Sequence, residues 1–331
     1  MQALKRTIKA CFEIMLLQLP QRYITYLRSR VLWILGISLK EISIHDPRIL
    51  KDLVEDPNFH CAVNLYVHVP TGHSFYIAPD KSTLLVRESS AWEPIHASSE
   101  HGYVSKSRKF YPVDADFHFV IPISRNYYHW MFDELPFTLY TLDYDKSSLV
   151  KYIHCGQLKP YQVDMINHLN ISTRSSVEWI RPKKILIPKQ RHISGQPTLQ
   201  VLEKIRSCCP PIRAEDEVHN RKIYISRKRS SRALPDETEI EYLLKSIGFE
   251  VLYLEDLNLA TQISYFQKAE IIIAPHGAGL ANLVWSNPGT RLIELMPDNF
   301  YNPCFANLAS ILDLEYKMFS YSNWREILRI L

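Results

Sequence analysis

The clearest hydrophobic pattern in this chain of 331 residues lies in its second half, where short apolar runs alternate with amphipathic stretches. A short apolar run bounded by turn formers is typical of a strand buried on both faces, and apolar residues at helical spacing are typical of a helix that covers a sheet. The predicted strands are 222–226, 249–254, 271–274 and 292–295, and the predicted helices are 235–247, 259–268 and 280–285. Strands and helices that alternate in this way predict a parallel sheet covered on both faces.

The first half is less regular but also mixes strands and helices. The predicted strands are 62–67, 75–77, 117–121, 152–154, 177–180 and 185–188, and the predicted helices are 126–142, 160–169 and 198–207. Cys208-Cys209-Pro210-Pro211 and the polar run to Asn220 are typical of a linker between domains. The chain as a whole is therefore predicted to be an α/β protein with two domains.

Residues 1–45 contain two helix-like stretches divided by Pro20, and both combine apolar residues with cations. Such a helix can lie on a membrane surface or can pack on the first domain with its cations in water, and we favour the packed helix. No stretch of eighteen apolar residues is present, which argues against a spanning helix. No small-residue cleavage site follows the apolar part, so we expect a cytoplasmic protein.

The amino-acid composition and the net charge indicate which classes of ligand this protein can bind. An apolar content of 46% and a charged content of 22% are those of a soluble globular protein. The net charge of +4 is too small to indicate nucleic acid and fits anionic small ligands or weak attraction to acidic membranes. Six cysteines are scattered without C-x-x-C spacing, so we expect reduced structural thiols and no metal cluster.

The turn His276-Gly277-Ala278-Gly279 follows the apolar strand 271–274 and leads into the helix 280–285. A strand that runs through glycines into a helix brings backbone N–H groups and the positive helix end to one place, which favours an anion. The glycines also let a ligand approach the backbone closely. The same glycines can merely permit a tight connection, and the spacing alone does not decide between the two.

Two charged residues at strand ends favour a binding site. Arg227 directly follows the strand 222–226, and Glu294 lies in the strand 292–295. Ligands of parallel sheets bind beyond the carboxyl ends of the strands, where Arg227 can hold a diphosphate. Because an unpaired buried carboxylate is costly, we expect Glu294 at the strand tip, where it can accept hydrogen bonds from a ribose diol. The basic run 227–232 can also be a solvated loop.

A second group of candidate residues lies on the helix 126–142. His129 and Asp133 are four residues apart and therefore share one helix face. A histidine and a carboxylate that face each other can act as a general base and its orienting group. Standing alone, such a pair is more often a contact that only stabilises the helix. No H-E-x-x-H motif accompanies it, so we expect no metal here.

Several ordered motifs in these regions together resemble glycosyltransferase family 61. They are N-Y-Y-H-x3-D at 126–133, Y-I-S-R at 224–227, G-F-E at 248–250, Q-I-S-Y-F-Q-K-A-E at 262–270, A-P-H-G-A-G-L-A-N-L at 274–283 and P-G-T-x-L-I-E-L at 288–295. The resemblance covers residues 110–316 and is strongest at 222–297, while the first hundred residues carry no match. The family includes bacterial polysaccharide-synthesis enzymes, plant xylan-decorating transferases and animal protein O-GlcNAc transferases. We predict the bacterial capsular or exopolysaccharide type.

The resemblance implies a GT-B fold, in which two Rossmann-like domains face each other across a cleft. It implies an inverting glycosyltransferase (EC 2.4) that uses a nucleotide sugar, commonly a UDP-sugar, without an essential metal or a cofactor. The predicted domains are a helical segment 1–50, an acceptor domain 51–212 and a nucleotide-sugar-binding domain 213–331, whose last helix can return to the acceptor domain. The acceptor would be a glycan or a lipid-linked glycan, with peripheral membrane contact through residues 1–40 at the inner face.

The resemblance also assigns roles to residues. Arg227 and the amides of Gly277, Ala278 and Gly279 would bind the diphosphate, Glu294 the ribose, and His276 the donor phosphate or sugar. The positive field of these groups would stabilise the leaving diphosphate. Asp133 is the first choice for the base that deprotonates the acceptor hydroxyl, His129 is the second, and Glu134 lies on the same turn.

Alternatives from other classes remain. A binding protein of the α/β class can keep the nucleotide site without transferring a sugar, although Asp133 and His129 would be expected to be lost in such a protein. An α/β hydrolase is disfavoured because no G-x-S-x-G occurs. A dehydrogenase is disfavoured because the dinucleotide fingerprint is missing.

Overall fold

The computed structural model describes isolated strands between residues 41 and 121, followed by residues 126–144, 150–154, 157–175, 179–182, 184–189, 195–209, 220–230 and 232–331. The predicted helices of the N-terminal segment and their membrane contact lie outside these residues, as does most of the predicted linker. Within the described residues, no helix has both the length and the apolar character needed to cross a membrane.

The secondary structure mixes strands and helices along the whole described chain. The strands are β1 Glu41–Ile42, β2 Phe59–Ala62, β3 Tyr66–His68, β4 His73–Ile77, β5 Thr83–Val86, β6 Phe110–Val113, β7 Phe117–Ile121, β8 Val150–His154, β9 Thr173–Ser175, β10 Trp179–Pro182, β11 Ile185–Pro188, β12 Arg221–Ile225, β13 Glu250–Leu252, β14 Ala269–Pro275, β15 Arg291–Met296 and β16 Glu315–Ser320. The α-helices are α1 Tyr127–His129, α2 Leu135–Tyr144, α3 Pro160–His168, α4 Leu199–Cys208, α5 Glu237–Ser246, α6 Leu259–Gln267 and α7 Cys304–Ile311. A π-helical turn spans Trp130–Glu134, and 3₁₀ segments span Leu254–Asp256, Ala278–Trp285 and Tyr321–Arg329.

The chain forms two compact units. Unit 1 comprises residues 1–122, 144–157 and 173–191, and unit 2 comprises residues 123–143, 158–172 and 192–331. These units differ from the predicted division, because three helices of the predicted acceptor domain belong to unit 2. Buried side chains explain the difference, since Met131, Met165 and Leu202 from these helices enter the same apolar core as Ile272 of β14. The assignment of acceptor and donor domains stays a prediction.

Unit 1 contains two sheets. One has five strands in the order β2-β11-β7-β8-β9, and only β2 runs antiparallel to its neighbour. The other has six strands in the order β1-β5-β4-β3-β10-β6 and mixes parallel with antiparallel pairs. The predicted strand 62–67 is divided, because β2 and β3 belong to different sheets.

Unit 2 is built on one parallel sheet of five strands in the order β13-β12-β14-β15-β16. Alternate residues of these strands enter two separate cores: Ile272 and Leu292 pack under α6 and the 3₁₀ segment Ala278–Trp285, while Ile273 and Ile293 pack with α5 and the 3₁₀ segment Tyr321–Arg329. The predicted parallel sheet covered on both faces is confirmed. The last helical segment, which was predicted as able to return to the acceptor domain, contributes Trp324 to the core of unit 2.

The predicted helix 126–142 begins and ends close to the expected residues but is not uniform. Asn126 caps it, because its side-chain oxygen accepts a hydrogen bond from the amide of Tyr128. The π-helical turn Trp130–Glu134 then inserts an extra residue between α1 and α2. Turns of this kind occur often at functional sites, and this one contains Asp133 and Glu134.

Candidate functional site

The turn after β14 keeps backbone amides available for a ligand. The amide of His276 donates to the carbonyl of Leu295 at 2.8 Å and extends the pairing of β14 with β15 by one residue. Gly277 then caps the 3₁₀ segment Ala278–Trp285. Among the described residues, the amides of Ala278 and Gly279 have no hydrogen-bond acceptor. Two unpaired donors at the positive end of a helical segment form a site that suits a phosphate oxygen.

Arg227 lies directly on this turn. A Cβ atom at Gly277 would lie 2.6 Å from Nη1 and 2.8 Å from Cζ of Arg227, so a larger residue there would displace the guanidinium from this position. Nη1 of Arg227 donates to the carbonyl of His276. Burial, and then the charge of Arg232, lower the pKa of Arg227, but an arginine remains cationic at any physiological pH. A cation is therefore fixed beside the unpaired amides, as predicted from the position of Arg227 after the strand.

A buried carboxylate that the sequence analysis did not single out organises the basic loop 226–234. Oε1 of Glu237 accepts hydrogen bonds from the amide of Arg227 at 2.7 Å and from the hydroxyl of Tyr224 at 2.8 Å, and Oε2 accepts from the amide of Leu234 at 2.8 Å. Only 2% of Glu237 is exposed. The loop that carries Arg227 is thus held at both ends by one side chain.

A cavity of 450 Å³ opens between this loop and the 3₁₀ segment. Three arginines, three residues of the glycine turn, two tyrosines and one carboxylate are among the residues that line it: Arg227, Arg229, Arg232, Gly277, Ala278, Gly279, Tyr127, Tyr161 and Glu255. A volume of this size accommodates a ligand as large as a nucleotide, and its cationic part favours an anionic one.

Glu294 does not lie where the sequence predicted. We expected it at an exposed strand tip, but it is fully buried within β15. Its burial is possible because Oε1 is 2.6 Å from Nδ1 of His276 and Oε2 accepts a hydrogen bond from the hydroxyl of Tyr316 at 2.8 Å. Glu294 therefore orients His276, and its contact with a ribose stays a prediction. Burial and the neighbouring Glu294 raise the pKa of Tyr316.

The structure brings His129 and Asp133 together as predicted. Nδ1 of His129 is 2.7 Å from Oδ2 of Asp133, and Oδ1 of Asp133 accepts a hydrogen bond from the amide of Gly195 at 3.0 Å. The side chain of His129 is 30% exposed, whereas that of Asp133 is only 5% exposed. This geometry suits an imidazole that is partly exposed and a buried carboxylate that fixes its orientation. The choice of Asp133 as the first candidate for the base stays a prediction.

Glu134 occupies a different environment from Asp133. It is buried on the same π-helical turn, and its charge, after burial, contributes to raising the pKa of Tyr161 to about 12. Tyr161 lines the cavity and contacts the rings of Tyr127 and Trp130 with centroids 4.8 and 5.1 Å apart. Glu134 thus lies near the aromatic wall of the cavity.

Aromatic rings connect His129 with His276. The ring centroid of Phe305 is 5.2 Å from that of His276 and 5.5 Å from that of Tyr128, and Tyr128 is 5.7 Å from His129. The hydroxyl of Tyr128 also donates to the carbonyl of Gly195, whose amide binds Asp133. Both histidine–carboxylate pairs are therefore linked through one set of packed aromatic rings within unit 2.

A hydrogen-bond network that the sequence analysis missed joins α1 to the glycine turn. The hydroxyl of Tyr127 donates to Oδ1 of Asn282 at 2.7 Å, and Nδ2 of Asn282 donates to Oε1 of Gln262 at 2.9 Å. Nε2 of Gln262 then donates to the carbonyl of Leu254 at 2.9 Å. The sequence contained one indication of this network, because Asn282 is a polar residue within an otherwise apolar stretch. A fully buried side-chain amide needs hydrogen-bond partners within the protein.

Among the residues that the structure describes, no group of three or more His, Cys, Asp or Glu side chains is placed to hold a metal ion. The predicted independence from metal stays a prediction.

Comparison with known proteins agrees with this geometry. The family model described as glycosyltransferase 61 matches residues 127–293, just over half of the chain. This range contains His129, Asp133 and His276 and ends one residue before Glu294. The chain belongs to the glycosyltransferase 61 family.

Similar curated proteins are plant enzymes. Alpha-1,3-arabinosyltransferase XAT2 of Oryza sativa subsp. japonica is 32% identical over 108 residues, which are 30% of this chain and 18% of that protein. Beta-1,2-xylosyltransferase RCN11 of the same organism is 35% identical over 60 residues, 18% of this chain and 11% of that protein. Beta-1,2-xylosyltransferase of Arabidopsis thaliana is 33% identical over 72 residues, 22% of this chain and 14% of that protein. Each matched stretch thus spans less than a fifth of the relative's length.

Proposed function

We propose that this glycosyltransferase 61 protein transfers a sugar from a nucleotide sugar, preferably a UDP-sugar, to a hydroxyl of a glycan, with inversion and without a metal ion. The observation that carries the proposal is the fixed cation of Arg227 beside the unpaired amides of Ala278 and Gly279, at the wall of a 450 Å³ cavity. The glycosyltransferase names of the relatives support the same reaction class.

The donor diphosphate would bind at the glycine turn. There the guanidinium of Arg227 and the two amides provide donors to phosphate oxygens, and Arg232 adds charge from the same cavity. As the bond between the anomeric carbon and the phosphate oxygen breaks, the electron pair stays on the diphosphate. Preorganised cations and amides stabilise that developing charge without reorganisation, which is the role that a divalent ion would otherwise have.

The acceptor would be activated by His129. Its Nδ1 is bonded to Asp133, so Nε2 is the nitrogen that would take the hydroxyl proton while the acceptor oxygen attacks the anomeric carbon. One displacement from the face opposite the diphosphate inverts the anomeric configuration. Asp133 holds the tautomer and stabilises the imidazolium that forms. His276, oriented by Glu294, would face the donor phosphate or sugar.

The wider setting is also a proposal. We infer a GT-B arrangement because unit 2 contains a parallel sheet and unit 1 contains a largely parallel sheet of five strands. We further infer polysaccharide biosynthesis of the bacterial capsular or exopolysaccharide type, a glycan or lipid-linked glycan acceptor and a cytoplasmic location. Flotation with anionic lipid vesicles decides whether residues 1–40 bind the inner face of a membrane or pack on the protein.

A donor screen tests the reaction. Purified protein is incubated with UDP-, GDP- and CMP-sugars, and release of the free nucleotide is measured with and without a mixture of oligosaccharides. We expect release from at least one UDP-sugar. Nucleotide binding without release would instead indicate the non-catalytic binding protein, and absence of both would contradict the proposal.

Arg227→Ala tests the donor site. We expect nucleotide affinity, measured by calorimetry, to fall by a few kcal/mol, roughly the contribution of a hydrogen bond to a charged group. Arg221→Ala is the matched control, because Arg221 is paired with Glu250 at the exposed edge of the sheet and does not line the cavity. Unchanged affinity in Arg227→Ala would remove this residue from the site.

A further inference from the structure

The cavity in unit 2 is chemically different at its two ends. At one end, Arg227 lies on Gly277 and is close enough to Arg232 for their charges to interact. At the other end, Tyr127 is bonded to Asn282, five residues further along the 3₁₀ segment. A 3₁₀ helix rises about 2 Å per residue, so the two ends are separated by roughly 10 Å. That separation corresponds to the distance between the diphosphate and the base of a nucleotide.

Glu255 is the carboxylate of the cavity. Glu255 follows β13 in the 3₁₀ segment Leu254–Asp256, is exposed, and lines the cavity, whereas Glu294 is fully buried and does not line it. Among the described residues, no hydrogen-bond donor is bonded to the side chain of Glu255. Its two oxygens are thus available to a ligand.

Neighbouring contacts place Glu255 beside the 3₁₀ segment Ala278–Trp285. Leu254 lies against Gly279, because a Cβ atom there would be 2.9 Å from Cδ1 of Leu254, and the carbonyl of Leu254 accepts a hydrogen bond from Gln262. The charge of Arg229 interacts with that of Glu255, and Arg229 is also bonded to Asp256 at 2.5 Å, which partly offsets its charge. Gly279 lies between Gly277 and Asn282, so Glu255 directly follows a residue that packs between the two ends of the cavity.

From this arrangement we propose that Glu255 binds the ribose diol of the donor nucleotide and that the base lies along Tyr127 and Tyr161. A carboxylate accepts two hydrogen bonds from adjacent hydroxyls, which makes it the group that distinguishes ribose from deoxyribose. The two tyrosine rings are perpendicular, with centroids 4.8 Å apart, so they form a wall with an aromatic surface for a base. This inference rests on the proposed function, since it concerns the same donor cavity.

Paired nucleotides test the assignment. The full chain is titrated with UDP, GDP and CDP, and the nucleotide that binds best is then compared with its 2′-deoxy form by calorimetry. We expect the wild-type protein to bind the ribose form about tenfold more tightly, the effect of losing one hydrogen bond to a charged group. In Glu255→Gln, the preference should fall to about twofold while the 2′-deoxy form binds at least as well, because a negative charge has been removed.

Two variants serve as controls. Glu270→Gln removes the same charge from an exposed position on β14 that does not line the cavity, and the preference for ribose should persist there. Glu294→Gln should also retain the preference, even if transfer is slower. Three results would overturn the assignment of Glu255. The preference for the ribose form could be absent from the wild-type protein, unchanged in Glu255→Gln, or lost in Glu294→Gln. Failure of every nucleoside diphosphate to bind would overturn the proposed function itself.

Discussion

At the scale of single residues, the two histidine–carboxylate pairs show how burial divides roles between chemically similar groups. Asp133 and Glu294 are both buried and both accept a second hydrogen bond from the protein, from the amide of Gly195 and the hydroxyl of Tyr316 respectively. Hydrogen-bond partners compensate the burial of a carboxylate in this position, and the burial itself limits its contact with a substrate. The histidine that it orients is the group that can exchange a proton.

His129→Ala and Asp133→Asn test this division. We expect His129→Ala to lower kcat by roughly 10²-fold or more, the usual contribution of a positioned general base. Asp133→Asn should also lower kcat, since an amide favours a different tautomer of His129, but it keeps the bond to Gly195. The measurement is steady-state transfer together with calorimetric nucleotide affinity, which should remain unchanged in both variants. A loss of nucleotide affinity equal to the loss of kcat would contradict the role in acceptor activation.

Gly277→Ala tests the packing of Arg227 on the glycine turn. The new methyl group would lie 2.6 Å from Nη1, so the guanidinium must move away from the unpaired amides. We expect nucleotide affinity to fall by about tenfold, which corresponds to the lower range of the cost of overpacking. Calorimetric titration with the preferred nucleoside diphosphate measures it.

Gly248→Ala is the matched control for that variant. Gly248 follows α5 with φ +92° and has open space around its Cα. The substitution should lower the midpoint of thermal unfolding, because an L-residue is strained in this conformation, but it should not change nucleotide affinity. Equal affinity losses in the two glycine variants would show that general destabilisation, rather than displacement of Arg227, is responsible.

At the scale of elements, α5 covers the sheet and also fixes the loop that follows β12. Its first residue, Glu237, holds the loop that follows β12, and Glu241 one turn later accepts a hydrogen bond from the hydroxyl of Ser226 at 2.7 Å. Both carboxylates are buried at the end of the strand that precedes Arg227. The helix therefore determines where the main cation of the cavity lies.

Glu237→Gln tests this dependence. The amide retains one acceptor oxygen but leaves one of the buried donors from Arg227, Tyr224 or Leu234 unpaired, at a cost of about 3 kcal/mol in unfolding free energy. We expect weaker nucleotide binding as well, because the backbone of Arg227 is no longer fixed. Chemical denaturation and calorimetry measure the two effects. Glu239→Gln, an exposed position on the same helix paired with Arg325, should change neither quantity appreciably.

At the scale of the whole molecule, unit 2 contains every residue to which the proposed chemistry is assigned. Residues 123–143 and 158–172 join the C-terminal sheet through shared apolar cores, so the candidate base and the donor cavity belong to one compact unit. The rigidity of one unit can hold reacting groups in register without depending on the placement of another.

Metal removal tests the proposed electrostatics at this scale. Because Arg227, Arg232 and the backbone amides would stabilise the leaving diphosphate, we expect transfer to continue at a similar rate in excess EDTA. Nucleotide release is followed before and after dialysis against the chelator. Complete loss of activity that Mg²⁺ or Mn²⁺ restores would contradict the mechanism while leaving the donor cavity in place.

Much of this protein could be predicted from its sequence. Strands β12, β14 and β15 and helices α5 and α6 were predicted to within a few residues, because local hydrophobic period and turn formers determine such elements. The motifs around Arg227 and His276 indicated the family because each is a short stretch that is recognised from its residue types and their spacing alone. The strand β16 and the helix α7 were not predicted, because Glu315–Ser320 and Cys304–Ile311 are only six and eight residues long and carry too short a pattern.

Only the tertiary structure decided which side chains meet. The sequence determined that Glu294 is an acid in an apolar strand, but its burial against His276 and Tyr316 depends on β16, which lies far along the chain. Tertiary contacts also decided that Glu255 lines the cavity. They likewise decided that the helix of His129 belongs to unit 2 and not to the unit that contains most of the predicted acceptor domain. Local periodicity determines secondary structure because it acts between near neighbours, whereas burial and charge pairing depend on contacts that only folding creates.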